Sequence, residues 1–147
     1  MKNYLFDTSV IVAASIAAHP HHNVARPWLA KVLSQKITGH LASHALAEIY
    51  AVLTRLPLTP ALAPDFVKEF LFSEIISAFT IVDLSTKDYR DCVKIAAKLN
   101  LKGGAFYDLL HWQACLKKNI NHLLTFNLKD FQRFSDMEPG PKIVVPE

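Results

Sequence analysis

Short apolar runs alternate with helix-length segments from one end of this chain to the other, and that alternation limits the fold more than any other feature. Tyr4-Leu5-Phe6, Ile37 to Ala42, Phe79 to Val82, Leu123-Leu124-Thr125 and Ile143-Val144-Val145 read as strands. Between and beside them, Val10 to Ala18, Val24 to Ser34, Ser43 to Leu56, Asp65 to Ser77, Ser85 to Leu99, Ala105 to Lys118 and Leu128 to Phe134 read as helices. His19-Pro20-His21-His22-Asn23 interrupts the first of these. The prolines at 57, 60 and 64 mark a connector too short for a domain linker. Helices that return the chain between strands impose parallel pairing. The predicted fold class is therefore α/β, a three-layer α/β/α arrangement around a central, mostly parallel sheet of four to five short strands.

Local signals agree with this reading. Ser43 is placed as an N-cap, and Leu46, Ile49, Tyr50, Leu53 and Leu56 follow the i, i+3, i+4, i+7 spacing of a core-facing stripe. Ser85-Thr86-Lys87-Asp88 has the pattern of a capping box, and Gly103-Gly104 opens the helix that follows. The length of 147 residues suits one domain over 1–147, and 51% hydrophobic content excludes a disordered chain. A net charge of +3 permits a nucleic-acid partner without requiring one. Cys92 and Cys115 form no CxxC pair, the N-terminus is not a signal sequence, and no apolar run is long enough to span a bilayer, so a cytoplasmic protein is expected.

In parallel α/β sheets, ligands collect outside the carboxyl ends of the strands, and the chemically interesting residues of this chain gather there. Asp7 ends the first strand among apolar neighbours, where a carboxylate must either cap the next helix or be compensated by something else. Glu48 shares a helical face with His44 and Arg55, away from the apolar stripe, an arrangement suited to a phosphate groove as well as to simple solvation. Asp108 lies in the first turn of its helix but on the side of Trp112 and Cys115, so it is expected to point inward. Thr125, Asn127 and Asp130 follow the fourth strand, with a turn or capping role as the ordinary alternative for Asn127. Three carboxylates and an amide are hard oxygen donors for Mg²⁺ or Mn²⁺, and no His or Cys spacing suits zinc. A cation there would activate water against a phosphodiester and offset the repulsion between clustered acids and phosphate.

Four fragments in register resemble PIN-domain proteins, and more narrowly the VapC-type toxins, endoribonucleases of toxin-antitoxin pairs. They are Phe6-Asp7-Thr8-Ser9, Ala47-Glu48 with Arg55 seven residues later, Gly103-Gly104-Ala105-Phe106-Tyr107-Asp108, and Leu124-Thr125-Phe126-Asn127-Leu128-Lys129-Asp130-Phe131. The resemblance implies metal-dependent cleavage of RNA with Asp7, Glu48 and Asp108 as metal ligands. It implies a fourth acidic position that falls on Asn127, where the chain departs from the acidic pattern, with Asp130 as a substitute. Thr8, Ser9 and Thr125 match polar positions that orient ligands. A small antitoxin is the implied protein partner. A PIN-like RNA-binding or regulatory module with weak or lost catalysis is the alternative, given Asn127.

Arg55 and Lys129 are candidates for RNA backbone contacts, whereas Lys102 reads as a surface cation. His44 and His111 either line the site rim or are buried, and His19, His21 and His22 read as an exposed loop. A homodimer together with antitoxin contacts is expected from the surplus of apolar helix, with Pro57 to Phe72 as the candidate patch, on Leu58, Leu62, Phe66, Phe70 and Leu71.

Overall fold

The computed structural model describes residues 1–147. Five strands, β1 (Asn3–Phe6), β2 (Thr38–Ala42), β3 (Thr80–Val82), β4 (His122–Leu124) and β5 (Lys142–Val144), form one sheet in the order β3-β2-β1-β4-β5. Every pairing is parallel. The chain first builds outward from β1 through β2 to β3, then crosses back to lay β4 and β5 on the other side of β1. The carboxyl ends of β1 and β4 consequently meet at the point where the winding reverses, the crevice that open parallel sheets use for ligands.

The connecting helices are α1 (Thr8–Ser15), α2 (His22–Leu33), α3 (His44–Arg55), α4 (Pro64–Phe70), α5 (Thr86–Lys98), α6 (Ala105–Lys118) and α7 (Leu128–Met137). They cover both faces of the sheet because successive strand residues point to opposite sides. Phe6 and Leu124 join Ile11, Leu29, Ile49, Leu53 and Phe79 in one core, while their neighbours Leu5 and Leu123 join Leu109, Trp112, Cys115, Phe131 and Phe134 in the other. Both cysteines are free and buried. No helix is long and apolar enough to cross a membrane.

The predicted elements all form, and the differences are local. Ser43 does not cap α3: its backbone is helical, and its Oγ accepts a hydrogen bond from the Leu84 N–H instead, tying the end of β2 to the end of β3. Tyr50 leaves the predicted core stripe and is exposed, whereas Ile49 and Leu53 are fully buried, so the inward face of α3 is narrower than its apolar spacing suggested. The Asp65 to Ser77 helix starts one residue earlier, with Pro64 in the first turn, where a missing N–H costs nothing. From Leu71 to Ile76 it widens into π-helical turns, and Ser73 and Ser77 donate back to the carbonyls of Glu69 and Ser73. The capping box at Ser85 and Asp88 is formed in both directions.

Candidate active site

Asp7 is the residue between β1 and α1, and its N–H extends the β1–β4 ladder by donating to the Leu124 carbonyl at 2.9 Å. It occupies the N-cap position of α1, yet its side chain does not cap. The carboxylate turns toward β4: Oδ2 accepts from Thr125 Oγ1 at 2.7 Å and from Ser9 Oγ at 2.9 Å. Thr125 Oγ1 accepts in turn from the Asn127 N–H at 2.9 Å, so one buried hydroxyl links Asp7 to the loop after β4. Asp7 is 4% exposed, and this network offsets what its desolvation would otherwise cost.

Glu48 reaches the same place from α3. Its Oε1 accepts from Thr8 Oγ1 at 3.0 Å and lies 3.2 Å from His44 Nε2 and 3.3 Å from His111 Nε2. The His44 nitrogen points off the line of a directed hydrogen bond, which leaves that contact essentially electrostatic. His111, one turn beyond Asp108 on α6, is 1% exposed and also stands 3.3 Å from Asp7 Oδ1. One buried imidazole thus bridges two carboxylates that belong to different elements. Burial alone would favour its neutral form, but the Glu48 contact and the charges of Asp7, Glu48 and Asp108 outweigh burial and raise its pKa. Burial likewise pushes the Glu48 carboxyl upward, yet His111 and His44 together hold it well below the usual carboxylate range. His44 is lowered, by burial first and by the nearby His111.

Asp108 completes the group and differs from the other two. The influences on it are burial and charge: burial pushes its carboxyl up to about 6, Asp7 and Asp130 add to the rise, and His111 and Arg133 oppose it. It lines a cleft of about 480 Å³ together with Asp7, Glu48, Thr8, Ser9 and Asn127. Trp112 and Cys115 are buried and Lys117 is exposed, as expected if Asp108 faces inward.

The remaining predicted residues divide. Asn127 is exposed at the start of α7, makes no side-chain cap and faces the cleft. Asp130 is exposed on the first turn of α7 and does not line the cleft, although its charge is felt at Asp108. Lys129 is exposed beside it and outside the cleft. Arg55 lies two turns beyond Glu48 in a separate dent with Ala51, Val52, Leu56 and Pro57, so the shared face of His44, Glu48 and Arg55 does not become one groove. The two histidines left open are buried against the carboxylates, not on the rim. Sequence reasoning missed Arg133, which acts on Asp108 from α7, and Phe126, His19 and His21, which line the cleft. The position of Phe126 directly before Asn127 was the available signal.

Comparison with known proteins bears on the family and the fold. The PIN domain family model matches residues 4–137. Ribonuclease VapC40 of Mycobacterium tuberculosis is 36% identical over 104 residues, which cover 71% of this chain and 72% of that protein. Among solved structures, M. tuberculosis VapC20, described as a Sarcin-Ricin loop cleaving toxin, superposes with a TM-score of 0.68 at 17% identity over 88% of this chain and 94% of that one. VapBC2 from Rickettsia felis, solved with a DNA fragment from its promoter, gives 0.66 at 23% identity over 99% of both chains. These two share the fold. The matched length, the curated relative and the convergence of Asp7, Glu48 and Asp108 at the sheet's switch point together place this chain in the PIN-domain family, within its VapC group.

Proposed function

We propose that this protein is a divalent-cation-dependent endoribonuclease that hydrolyses phosphodiester bonds of RNA as the toxin of a toxin-antitoxin pair. The observation that carries the reading is the convergence of three carboxylates, from the β1–α1 junction, α3 and α6, on one cleft, with a single buried imidazole, His111, between two of them. Asp7, Glu48 and Asp108 line the cleft with hard oxygen donors of the kind Mg²⁺ or Mn²⁺ takes, and Asn127 offers a neutral fourth oxygen, while the side chains close enough to share one ion as folded are His44, Glu48 and His111. Bound there, such a cation lowers the pKa of a water and offsets charge that builds on the phosphate oxygens. The chain's own residues do the positioning. Thr125 and Ser9 fix the Asp7 carboxylate, Thr8 fixes that of Glu48, and His111 holds the two in register. Asp108 carries the least compensated charge and gains most from a cation.

The protein partners belong to the same reading. Leu62, Phe66, Val67 and Phe70 form a groove of about 340 Å³ with Ile16 and Leu53, and Phe66 is 61% exposed. We assign this groove to an apolar helix of the antitoxin. The exposed Tyr50 and Pro57, with Val52 at the edge of the cleft between them, are the surface we assign to a second copy of the chain, which would then border the RNA site.

Asn127 supports the other reading, an RNA-binding or regulatory module with weak catalysis, because the residue facing the cleft there brings no charge. Incubation of purified protein with total RNA in Mg²⁺, in Mn²⁺ and in EDTA decides between them. Fragmentation that appears with either cation and stops with EDTA supports the nuclease, and Asn127→Asp is then expected to lower the cation concentration needed. Binding without fragmentation in both cations favours the regulatory module.

A further inference from the structure

The loop that breaks α1 from α2 places two histidines over the carboxylate cleft, and the catalytic reading leaves them without a task. His19 and His21 line that cleft together with Phe126. The His21 ring lies nearly parallel to Phe126, with centroids 4.6 Å apart and planes at 18°. His19 stands 5.8 Å from His21 at 43°, and its Nδ1 accepts the His21 N–H at 3.0 Å, which fixes the turn around Pro20. His22 pins the other side of the loop through a 2.9 Å contact between Nδ1 and the Ala13 carbonyl. Phe126 is half-buried and packs on the core, so the ring beneath His21 is anchored, while His21 itself is exposed and its outer face meets solvent.

We propose that His21, braced from below by Phe126 and flanked by His19, is a stacking platform for one nucleobase of single-stranded RNA next to the cleaved phosphodiester. The inference rests on the RNA-cleaving reading and adds the way the strand is held. A cleft floored by Asp7, Glu48 and Asp108 offers phosphate a bound cation but no lysine or arginine in its own lining, and Arg55 and Lys129 stand outside it, so contacts to the bases add grip that the charges there do not supply. Aromatic faces provide that for any base, provided the base is unpaired and free to turn out of a helix. Metal capture by the loop is the competing role for these rings. The geometry gives it no ligand set: the grouping of His, Cys, Asp or Glu side chains close enough to share an ion is His44, Glu48 and His111, which includes neither His19 nor His21, and His19 Nδ1 is already engaged.

The test is binding of a fluorescein-labelled eight-nucleotide RNA, 2′-O-methylated throughout and verified on a gel to stay intact, in Mg²⁺. A matching set carries one abasic position moved along the strand. Wild type is expected to bind the full strand and to lose roughly 5- to 100-fold in affinity when one particular base is missing. His21→Ala is expected to bind the full strand as weakly as wild type binds that abasic strand, and to be indifferent to the abasic position. His21→Trp, which keeps a flat ring and removes the imidazole nitrogens, is expected to restore discrimination. Equal affinity of wild type and His21→Ala for the full strand overturns the platform and leaves the nuclease reading standing. Equal losses in His21→Ala and His21→Trp overturn stacking in favour of a contact made by the imidazole nitrogens. If wild type neither binds this strand nor cuts its unmethylated counterpart, the ribonuclease reading itself fails and takes the platform with it.

Discussion

Asp7, Glu48 and Asp108 are chemically similar side chains that the fold treats differently. Asp7 is tied by two hydroxyls and Glu48 by one hydroxyl and two imidazoles, whereas Asp108 has burial and like charges around it. A group whose carboxyl is pushed up to about 6 in the folded state takes up a proton, between the ordinary carboxyl value and pH 6, that the unfolded chain does not. Ionised Asp108 therefore destabilises the cation-free protein above pH 6, and that cost disappears as pH falls toward 4. Glu48 works in the opposite sense, lending stability that is present above the ordinary carboxyl range and lost as pH falls below it. Asp108→Asn is accordingly expected to raise the Tm of cation-free protein at pH 7.5, by roughly 1 kcal/mol of stability, and to lose that advantage by pH 4. Mg²⁺ is expected to stabilise wild type and not the variant. Thermal melts at the two pH values, with Mg²⁺ and with EDTA, read all three effects.

At the scale of elements, apolar alternation and capping chemistry located every strand and helix, because each short strand is bounded by residues with strong turn or cap preferences. The capping box at Ser85 was legible because both of its hydrogen bonds are local in sequence. Ser43 was not, because its partner, the Leu84 N–H, is 41 residues away. The same divide runs through the site. Asp7, Asp108 and Asn127 were readable as strand-end or helix-start polar residues, but the bridge from His111 to Asp7 and Glu48 depends on how α6 and α3 sit against β1, which no local pattern encodes. Arg55 lies outside the cleft for a related reason: sharing a helical stripe with Glu48 places a residue seven positions on in the adjoining dent, which meets the cleft at Val52. Close approach between layers is equally invisible locally. A Cβ on Gly39 in β2 would lie 2.7 Å from the Phe79 ring and 2.8 Å from a Val32 methyl. Gly39→Ala is therefore expected to cost about 1–3 kcal/mol in urea denaturation, with Phe79→Leu recovering part of it by relieving the overlap.

For the whole molecule, one sheet divides the work. The switch point at the ends of β1 and β4 holds the acidic cleft, and a groove between α4 and the α1–α2 junction, lined by eight apolar residues and by His22, Arg26 and Glu74, lies on the other side of the histidine loop. With three acids drawn into the cleft, the remaining surface is more basic than the net charge of +3 indicates, which suits a rim that attracts RNA around an anionic floor. Separate surfaces for RNA and for the antitoxin make the two functions separable by mutation. Phe66→Asp is expected to weaken antitoxin binding at least tenfold in a co-purification or titration experiment, since a charge would be buried in an apolar groove, while cleavage of free RNA persists. Equal binding by wild type and Phe66→Asp would move the antitoxin to another face. The central claim is that Asp7, Glu48 and Asp108 act together as one cation-dependent nuclease centre. Its most direct test is the initial rate of RNA cleavage in saturating Mg²⁺ for wild type, Asp7→Asn, Glu48→Gln and Asp108→Asn, with circular dichroism to establish that each is folded. The account predicts that every folded variant falls by at least 100-fold. Cleavage at the wild-type rate by a folded Asp7→Asn or Asp108→Asn protein would contradict it.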